Sequence, residues 1–578
     1  MKLDACRPIG PAPTTERIDA ISTPLDWQEW DRLLAGHPDQ RFRKYIVDGI
    51  RHGFRLGFDY TRSVKANRRS LNMLSANEHP QVIREYLAEE CSEGRVIGPL
   101  PPAQFPDTHT SRFGVIPKGS TGKWRLIVDM SAPEGTSVND GISESLTSLS
   151  YVGVKDAARL ITTQGRGALL VKVDVKSAYR NIPIHPDDRW LTGMLWDGSL
   201  FVDTALPFGL RSAPKIFTAV ADAAEWIVKQ AGVKNIIHYL DDFLIVGQPG
   251  SEEGKVALGI VQDTFSRLGL PIAENKLEGP TTCLEFLGFE LDSVALEIRL
   301  PQRKLVEFRS LSSQWLERKS CLRRELESLV GKLGHAAQVV PPGKTFMRRL
   351  FELLRGTKRA HHQLRLNRET RSDLFWWASF LETWNGVSMM GTEPSSITPA
   401  THIWTDASGQ FGCGAIVPSS ESWFQLEWPH SYAQEWVRLR DESIALKELL
   451  PIVIACAVWG RLWKDSAVVV HCDNMGVVAI VNSGYSRVAP IMHLLRCLFF
   501  IRAHFRLNLW AVHVPGTENG LADAISRNHL PLFFSQVPGA AQRRVQIQPE
   551  LLALLAEQQP DWTSRPWTRL FRSCFPLE

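Results

Sequence analysis

The sequence predicts a multidomain protein in which α+β and α/β parts follow one another. Strand-like apolar runs mixed with helices continue to about residue 295, and strands with glycine turns return from residue 401. Between them lies a helix-rich segment, residues 301–390. The change of pattern in GTEPSSITPA indicates a domain boundary near residues 391–400. A chain of 578 residues is long enough for roughly three to five domains.

The composition excludes several classes of protein. Hydrophobic residues make up 44% and charged residues 22%, and the net charge of +4 does not fit a uniformly basic binder. No secretory signal is visible, and the longest apolar run, residues 449–460, contains a proline and is shorter than the about 20 residues of a membrane span. The nine cysteines include no CxxC pair, which disfavours disulfides and zinc sites. We therefore expect an intracellular protein without a membrane partner, in the cytoplasm or the nucleus.

Periodicity predicts the elements of the first half in order. Apolar residues spaced by three and four mark helices, and apolar runs on both sides of a turn mark hairpins. The predicted elements are a helix at 82–91, a hairpin at 112–131, a strand that turns into a helix at 168–182, a hairpin with an acidic tip at 234–247 and a helix at 252–270.

Three carboxylates lie at the ends of these predicted strands. Asp174 follows the strand VKVD, and Asp241 and Asp242 form the tip of the second hairpin. An isolated Asp-Asp pair usually marks a solvated turn, but apolar strand flanks this pair on both sides, where carboxylates are seldom found without partners. On adjacent strands the three can hold two divalent cations, as phosphoryl transfer requires, and oxygen ligands favour Mg²⁺.

Four motifs in order resemble the reverse transcriptase family. HYLDDFLIVG resembles its YxDD signature, VKVDVKSAYRNI its first catalytic strand, LPFGLRSAPKIF the segment under the template–primer, and LEFLGFELD (284–292) its primer-grip hairpin. The resemblance implies a right-hand polymerase with fingers, a ferredoxin-like palm and a helical thumb/connection. It also implies that Asp174, Asp241 and Asp242 are catalytic and hold the metal ions.

The same resemblance implies several substrate-binding residues. Lys118 and Arg125 fall where the fingers hairpin clamps the incoming triphosphate, a task that suits an ammonium and a guanidinium. Taken alone, two basic residues on a hairpin usually form a solvated face. Tyr179 matches the aromatic residue that clashes with a ribose 2′-OH and so favours dNTPs, and the alternative is a core tyrosine.

Three further positions are implied in the same way. Phe208 and Gly209 lie in the nucleotide-binding segment. Phe208 stands where lentiviral enzymes carry a glutamine, whereas the gypsy-like and DIRS-like branches carry phenylalanine. Lys276 matches the motif lysine near the leaving pyrophosphate.

A second set of carboxylates follows the predicted boundary. Asp406 and Asp473 each end or interrupt a predicted strand, and Glu448 and Asp523 each lie in a predicted helix. Singly, Glu448 would be a surface helix residue and Asp523 a helix-turn acid. As an ordered D-E-D-D set over residues 401–530 the four resemble ribonuclease H, which implies that all four are catalytic and hold metal ions in a ribonuclease H-like domain. The loop VPGTENG lacks the mobile histidine of many such enzymes, and we do not transfer its role to His513.

The segment between the two sets is strongly basic. Residues 301–372 carry 17 Lys and Arg against 6 Asp and Glu, a net charge of +11, and the aromatic run Phe375, Trp376 and Trp377 follows. One basic helix is usually a solvated face. A run this long between two candidate phosphodiester sites favours a surface that follows a nucleic-acid backbone, with binding that depends strongly on salt.

The amino-acid sequence of several segments resembles that of DIRS-like retrotransposon polyproteins, which combine a reverse transcriptase–ribonuclease H with a tyrosine recombinase. The segments are TPLDW, GRVIGPL, RFGVIPKG, GKWRLIVDMS, SVNDGI and LPFGLRSAPKIF, and the resemblance covers residues 22–530. We see no protease motif, CCHC knuckle or integrase module in the sequence, and we expect any recombinase partner to be encoded elsewhere.

These observations predict an RNA-directed DNA polymerase with a fused ribonuclease H that copies retrotransposon RNA. The alternative is a catalytically silent or nuclease-only relic of such an element. The expected cofactor is Mg²⁺, two ions per active site, with Mn²⁺ as an alternative, and the expected partners are RNA template, DNA primer, RNA–DNA hybrid and dNTPs. The sequence predicts five domains: an N-terminal helical extension (1–95), fingers and palm (96–295), a basic helical thumb/connection (296–397), a ribonuclease H domain (398–530) and a partly ordered tail (531–578).

Overall fold

A computed structural model describes most of the chain. The described residues are 21–61, 71–118, 124–144, 147–356, 359, 361–383, 387–390, 400–428, 443–464, 466–484, 486, 488–505 and 507–556. The chain divides into two compact units, Met1–Leu287 and Gly288–Glu578, and the division falls inside the predicted primer-grip segment. The tip of the first hairpin (119–123), most of the predicted boundary (391–399) and the end of the tail (557–578) lie outside the described residues. The five predicted domain ranges stay predictions.

The first unit mixes helices and strands. Its α-helices are α1 (Trp27–Leu33), α2 (Gln40–His52), α3 (Leu74–Glu78), α4 (Pro80–Ser92), α5 (Val154–Gln164), α6 (Ala213–Gln230) and α7 (Glu253–Leu268). Its strands are β1 (Val96–Leu100), β2 (Thr110–Pro117), β3 (Trp124–Asp129), β4 (Leu169–Asp174), β5 (Gly193–Trp196), β6 (Ser199–Asp203), β7 (Ile236–Tyr239), β8 (Asp242–Gly247), β9 (Glu278–Thr281) and β10 (Cys283–Phe286). Two sheets result, of order β1-β6-β5-β2-β3 and β7-β8-β4-β9.

The N-terminal helices pack into the core of this unit. Asp39 caps α2 by accepting hydrogen bonds from the backbone N–H groups of Arg41 and Phe42. Trp30 of α1 is fully buried, and its indole N–H donates to the carbonyl of Leu268 at 2.9 Å. These helices therefore share one hydrophobic core with the strands that carry the first candidate site.

The sheet β7-β8-β4-β9 contains the predicted hairpin with the acidic tip. β7 and β8 pair antiparallel with Tyr239 opposite Asp242, and β8 pairs with β4 so that Asp174 faces Asp242. Helices α5, α6 and α7 contact these strands, which explains their apolar composition. The hairpins at 112–131 and 234–247 and the helices at 82–91 and 252–270 are thus confirmed.

The predicted helix after β4 is wrong in type. Only a 3₁₀ turn, Ala178–Asn181, follows the strand. Ser177 precedes it with φ of 55°, a left-handed conformation that a continuous α-helix does not contain. The chain therefore turns sharply just after the catalytic-strand candidate.

The second unit begins with a helix-rich part. Its α-helices are α8 (Gln302–Leu316), α9 (Arg323–Ala336), α10 (Arg348–Arg355), α11 (Arg368–Thr383), α12 (Ile444–Trp459), α13 (Met475–Ser483), α14 (Ala489–Phe505), α15 (Gly520–Ser526), α16 (Leu530–Gln536) and α17 (Pro549–Ala556). Its strands are β11 (Phe289–Asp292), β12 (Glu297–Arg299), β13 (Ser320–Leu322), β14 (Gln363–Arg365), β15 (Val387–Met389), β16 (Ala400–Ala407), β17 (Gly412–Val417), β18 (Ser422–Glu427), β19 (Ala467–Cys472) and β20 (Asn508–His513).

A five-stranded mixed sheet of order β18-β17-β16-β19-β20 organises the rest of this unit. β18, β17 and β16 pair antiparallel, and β19 and β20 continue in parallel from β16. Helices α12 and α14 cover one face of the sheet. On the opposite face α15 packs on β17, where Gly414 leaves room for Ile525: an added Cβ would lie 2.2 Å from that side chain.

In its described residues the basic segment 301–372 is largely helical, as predicted, with the short strands β13 and β14 between its helices. Trp376 and Trp377 of α11 are 2% and 0% exposed, so they are packing residues. The apolar run 449–460 lies mostly in α12, which is buried around Pro451. Within the described ranges, no helix is long and apolar enough to cross a bilayer.

The buried indole of Trp30 yields a test of the first unit's core. Trp30→Ala should lower the free energy of unfolding by about 3–5 kcal/mol, because it leaves a cavity and removes the donor to Leu268. Chemical unfolding of the full chain measures this loss. Leu74→Ala is the control, since Leu74 is 73% exposed, and it should change the value by no more than about 0.5 kcal/mol. Equal losses would contradict the assignment.

Candidate functional site

The first candidate site lies at one end of the sheet β7-β8-β4-β9. Asp174 ends β4, Asp241 lies in the two-residue turn between β7 and β8, and Asp242 begins β8. Asp174 and Asp242 occupy facing positions, so their side chains lie on the same side of the sheet. The N–H of Val175 donates to the carbonyl of Asp241 at 3.0 Å and ties the turn to β4. The structure thus brings the three predicted carboxylates together.

The acidic turn is held by its backbone and by a buried histidine. Leu240 has φ of 52°, and a left-handed conformation costs a residue with a side chain about 1–2 kcal/mol. His238 on β7 lies 2.6 Å from Glu225 (Nδ1···Oε2) and 3.5 Å from Asp222, both on α6. These contacts anchor the hairpin to the helix behind it. We did not predict His238 as a site residue, because a histidine in an apolar strand gives no sign of its distant partners.

The electrostatics of the site follow from burial of like charges. Burial raises the pKa of Asp241, and the carboxylate of Asp174 adds to the rise. Burial also raises the pKa of Asp242 to about 6; Lys172 opposes this, and Asp241 and Asp174 reinforce it. A cation beside these groups would stabilise their ionised forms.

Lys276 supplies one positive charge. Its Nζ donates to both carboxylate oxygens of Asp174, at 2.8 and 3.0 Å. This hydrogen bond raises the pKa of Lys276. The N–H of Ala273 donates to the carbonyl of Asp174 at 2.8 Å and holds the lysine turn against β4. The sequence predicted Lys276 beside a leaving pyrophosphate, and in the structure it contacts a candidate metal ligand.

Aromatic rings flank the carboxylates. The ring centroid of Tyr179 lies 5.4 Å from that of Phe208 and 5.5 Å from that of Phe217. Burial raises the pKa of Tyr179 to about 12, and Tyr151 and Asp241 contribute to the rise. Phe208 is 58% exposed. Tyr179 is therefore within electrostatic reach of the acidic turn and next to an exposed ring.

Asn139 fixes the segment that carries Phe208 and Gly209. Gly209 has φ of 90°, and a Cβ there would lie 2.7 Å from the carbonyl oxygen of Val128. Asn139 donates to the carbonyl of Gly209 at 2.9 Å and accepts from the N–H of Arg211 at 2.7 Å. Sequence reasoning missed this buried amide. Its signal, an asparagine in SVNDGI, by itself marks only a turn.

Lys118 and Arg125 lie on the other sheet of the unit. Lys118 directly follows β2, and Arg125 on β3 faces Ile116 of β2. Both basic residues are exposed. The hairpin therefore presents both beside its tip, and their contact with a triphosphate stays a prediction.

The second candidate site lies on the five-stranded sheet. Asp406 is on β16, Asp473 directly follows the neighbouring strand β19, Glu448 is on α12 and Asp523 is on α15. Burial raises the pKa of Asp406 to about 6; the hydroxyl of Ser526 opposes this, and Asp473 and Asp523 reinforce it. All four predicted carboxylates are thus close enough to influence one another.

Glu448 is the most perturbed member of this set. Burial raises its pKa to about 9, and Asp406, Asp473 and Asp523 each add to the rise. Its Oε2 is buried and has no hydrogen-bond partner in the described part of the chain. Oxygens of Glu448 and Asp473 and the sulfur of Cys472 lie within 4.8 Å of one another. A buried carboxylate with an unpaired oxygen among other carboxylates fits a cation site.

Three residues that we did not predict support this site. Ser526 donates its hydroxyl to Asp406, Asn519 donates to the carbonyl of Thr405 at 3.0 Å, and Lys447 donates to the carbonyl of Gly409 at 2.9 Å. Asn519, Asp523 and Ser526 are spaced by four and three residues, which is a helical-face signal.

Two further contacts concern the predicted acids. Asp523 pairs with Arg527 at 2.6 Å, one helical turn later. His513 Nε2 lies 3.1 Å from the carbonyl of Asp473. His513 therefore contacts backbone next to the site.

Residues 116–291 match the protein family described as reverse transcriptase (RNA-dependent DNA polymerase). This segment is a reverse transcriptase domain. It includes the three carboxylates of the first site and every substrate-binding residue predicted for that site.

Viral polyproteins are among the proteins that this chain resembles. The chain is similar to the Pro-Pol polyprotein of feline foamy virus, 24% identical over 245 residues that make up 41% of this chain and 18% of that protein. It is also similar to the Gag-Pro-Pol polyprotein of Mason-Pfizer monkey virus, 29% identical over 185 residues, or 30% of this chain and 10% of that protein. The chain thus spans less than a fifth of either relative.

A solved structure of a foamy viral protease–reverse transcriptase in complex with double-stranded DNA is also similar. The likeness covers 87% of this chain and 84% of that chain, at 15% identity and a TM-score of 0.46. A second complex, with an RNA/DNA hybrid, covers 90% of this chain at 14% identity and a TM-score of 0.37.

The raised pKa values at the second site predict how a divalent ion would bind there. Mg²⁺ needs ionised carboxylates, so its binding should release protons, and its affinity should rise by up to about tenfold per pH unit between pH 6 and 9 for each proton released. Without the ion, the raised pKa of Glu448 makes the folded chain progressively less stable as the pH rises from the ordinary pKa of 4.5 to about 9.

Calorimetry in two buffers of different ionisation enthalpy counts the released protons. Glu448→Gln should release about one proton fewer than the wild type at pH 7.5, whereas Glu427→Gln on β18 should behave like the wild type. An unchanged proton count in Glu448→Gln would contradict the cation site.

Proposed function

We propose that the chain is an RNA-directed DNA polymerase with a fused ribonuclease H, both acting through divalent metal ions. One observation carries the polymerase proposal: Asp174 and Asp242 face each other beside Asp241 inside the segment that matches the reverse transcriptase family. The primer 3′-OH attacks the α-phosphate of a dNTP in this reaction, and pyrophosphate leaves.

The residues at the first site fit Mg²⁺, with Mn²⁺ as the alternative ion. Three carboxylates supply hard oxygen ligands, and burial together with the neighbouring carboxylates raises the pKa values of Asp241 and Asp242. Bound ions would lower the pKa of the attacking hydroxyl and neutralise charge on the phosphates. Asp174, Asp241 and Asp242 would hold them.

Other residues of this unit position the nucleotide. Lys118 and Arg125 neutralise the triphosphate, and Lys276 carries a proton and a charge next to Asp174 for the leaving group. Tyr179 meets the sugar where a 2′-OH would clash with its ring. Phe208 offers an exposed apolar surface at the same place, held by the tight backbone at Gly209.

Basic helices serve the nucleic acid in the second unit. Residues 301–372 keep a net charge of +11. Neutralising phosphates with such a surface releases counterions, so binding of template–primer or hybrid should weaken steeply with salt and depend little on sequence. We propose this segment as the thumb and connection.

The second activity is cleavage of the RNA strand of a hybrid. It is supported by Asp406 and Glu448, whose pKa values are raised by burial and by the neighbouring carboxylates. It is also supported by Oε2 of Glu448, which has no hydrogen-bond partner among the described residues, and by the mixed sheet with α12 and α15 beside its acidic strand ends. This donor set also fits Mg²⁺. Asp406, Glu448, Asp473 and Asp523 would hold the ions, and Ser526 and Asn519 orient Asp406 and its strand.

The sequence motifs further support a DIRS-like retrotransposon as the source of this chain. On that proposal its template is the element's RNA and a tyrosine recombinase is a further partner. Co-purification of a recombinase encoded by the same element would support the partnership.

The polymerase proposal is tested by primer extension on an RNA template with Mg²⁺ and dNTPs. Asp241→Asn should slow extension about a hundredfold or more, because it removes a metal-holding charge. Asp263→Asn is the matched control, since Asp263 lies on α7 and is 70% exposed, and it should extend like the wild type. A wild type that extends no better than Asp241→Asn, or no worse in EDTA, would refute the polymerase.

The nuclease proposal is tested with a hybrid whose RNA strand is labelled. Asp473→Asn should lose at least about a hundredfold in cleavage rate while primer extension persists. Glu427→Gln on the same sheet should cleave normally. Equal cleavage by wild type and Asp473→Asn would assign the activity to a contaminant.

The two assays also separate the alternatives. A nuclease-only relic would cleave the hybrid without extending a primer. A silent binder would do neither, and would still bind the hybrid in a salt-dependent manner.

A further inference from the structure

A buried arginine lies immediately after Tyr179. The side chain of Arg180 is 3% exposed, although it is charged. Its Nε donates to Glu90 at 2.8 Å, and a terminal nitrogen donates to Asp203 at 2.6 Å. The other terminal nitrogen donates to the carbonyls of Ala205 and Leu206, at 3.1 and 3.3 Å.

These partners come from separate segments of the first unit. Glu90 belongs to α4, Asp203 ends β6, and Ala205 and Leu206 begin the segment that leads to Phe208. Backbone hydrogen bonds join the same segments, since the N–H of Leu206 donates to the carbonyl of Ile182 at 2.9 Å. Arg180 therefore fastens the Tyr179 turn to the Phe208 segment.

The distance between the rings of Tyr179 and Phe208 depends on the hydrogen bonds that Arg180 makes. Tyr179 is one residue before Arg180 on a 3₁₀ turn, and Phe208 is two residues after the second carbonyl that Arg180 binds. The ring centroids lie 5.4 Å apart. A shift of the 205–206 backbone would change this gap directly.

We propose that Arg180 is a positioning residue that sets the gap between Tyr179 and Phe208 and thereby the selection of dNTPs over rNTPs. This inference rests on the proposed polymerase function and on Tyr179 as the residue that excludes the 2′-OH. It also gives α4 a role in the active site, because Glu90 holds the guanidinium from the side opposite the carbonyls.

Only an arginine can make this set of contacts. A planar guanidinium has donors in a fixed fork and reaches two carboxylates and two carbonyls at once, whereas an ammonium has three donors on a single nitrogen. Arg95 donates to both oxygens of Glu90 at 2.9 and 2.8 Å, so the buried acids are balanced by two arginines. Arg180→Lys therefore keeps the charge and loses the fork.

The test is single-nucleotide incorporation by the full chain, with kcat/KM measured for a dNTP and for the matching rNTP. Arg180→Lys should lower the dNTP-to-rNTP ratio about tenfold, with a higher KM for the dNTP, since small misplacements have effects of this size. Arg180→Met should lower it at least as far. Because the readout is a ratio, loss of part of the protein to unfolding does not change it.

Two reference variants separate positioning from stability. Asp188→Asn disturbs another buried acid, 1% exposed, whose carboxylate pairs with Arg55 and accepts hydrogen bonds from Leu56 and Tyr60, all outside the Tyr179 and Phe208 segments. It should lower the melting temperature comparably and leave the ratio unchanged. Tyr179→Ala should lower the ratio more than either Arg180 variant.

Each other outcome overturns a defined claim. If Tyr179→Ala lowers the ratio while both Arg180 variants stay within about twofold of wild type, the role of Arg180 is wrong. An equal fall in Asp188→Asn also refutes it, because general loosening would then explain the effect. If Tyr179→Ala leaves the ratio unchanged, the sugar-excluding role of Tyr179 fails and the inference with it. A wild type that incorporates no nucleotide refutes the proposed function.

Discussion

Ionised carboxylates cannot share a small, partly buried space without a cation beside them, and this constraint shapes both candidate sites. In the first unit, Asp174, Asp241 and Asp242 meet because the strand register and a two-residue turn leave them no other position. Burial raises the pKa of Asp241 and Asp242, and their mutual repulsion adds to the rise. Lys276 supplies one compensating charge, and divalent ions are the natural source of the rest.

The same need for a cation beside clustered carboxylates arises in the second unit, where other elements supply the acids. There the acids come from two neighbouring strands and two helices, and the buried Glu448 has one oxygen without a hydrogen-bond partner among the described residues. The pKa of about 9 shows how unfavourable its ionised form is without a cation. Burying an acid lowers the stability of the folded chain, and proteins keep such buried acids mainly where they serve binding or chemistry.

Sequence alone predicted the parts that depend on local pattern. Apolar strands around an Asp-Asp pair predicted the hairpin, and the ends of apolar strands pointed to Asp174, Asp406 and Asp473. Glu448 and Asp523 lie on helices, and only the resemblance to ribonuclease H pointed to them. It failed where a residue's role depends on a distant partner. The amide of Asn139 and the guanidinium of Arg180 are explained by carbonyls about 70 and 25 residues away. The 3₁₀ turn after β4 was also missed, because its left-handed Ser177 carries no sequence signal. The sequence did not predict that Trp376 and Trp377 belong to a core, because only the packing of α11 buries them.

Counting bound ions tests whether the carboxylates are gathered to hold divalent metal. Electron paramagnetic resonance of free Mn²⁺ during titration of the full chain gives the number bound. We expect Asp242→Asn to lose ions that Asp263→Asn retains, while the ions assigned to Glu448 and Asp473 remain. An identical number of bound ions in wild type and Asp242→Asn, or no binding by the wild type, would contradict the account.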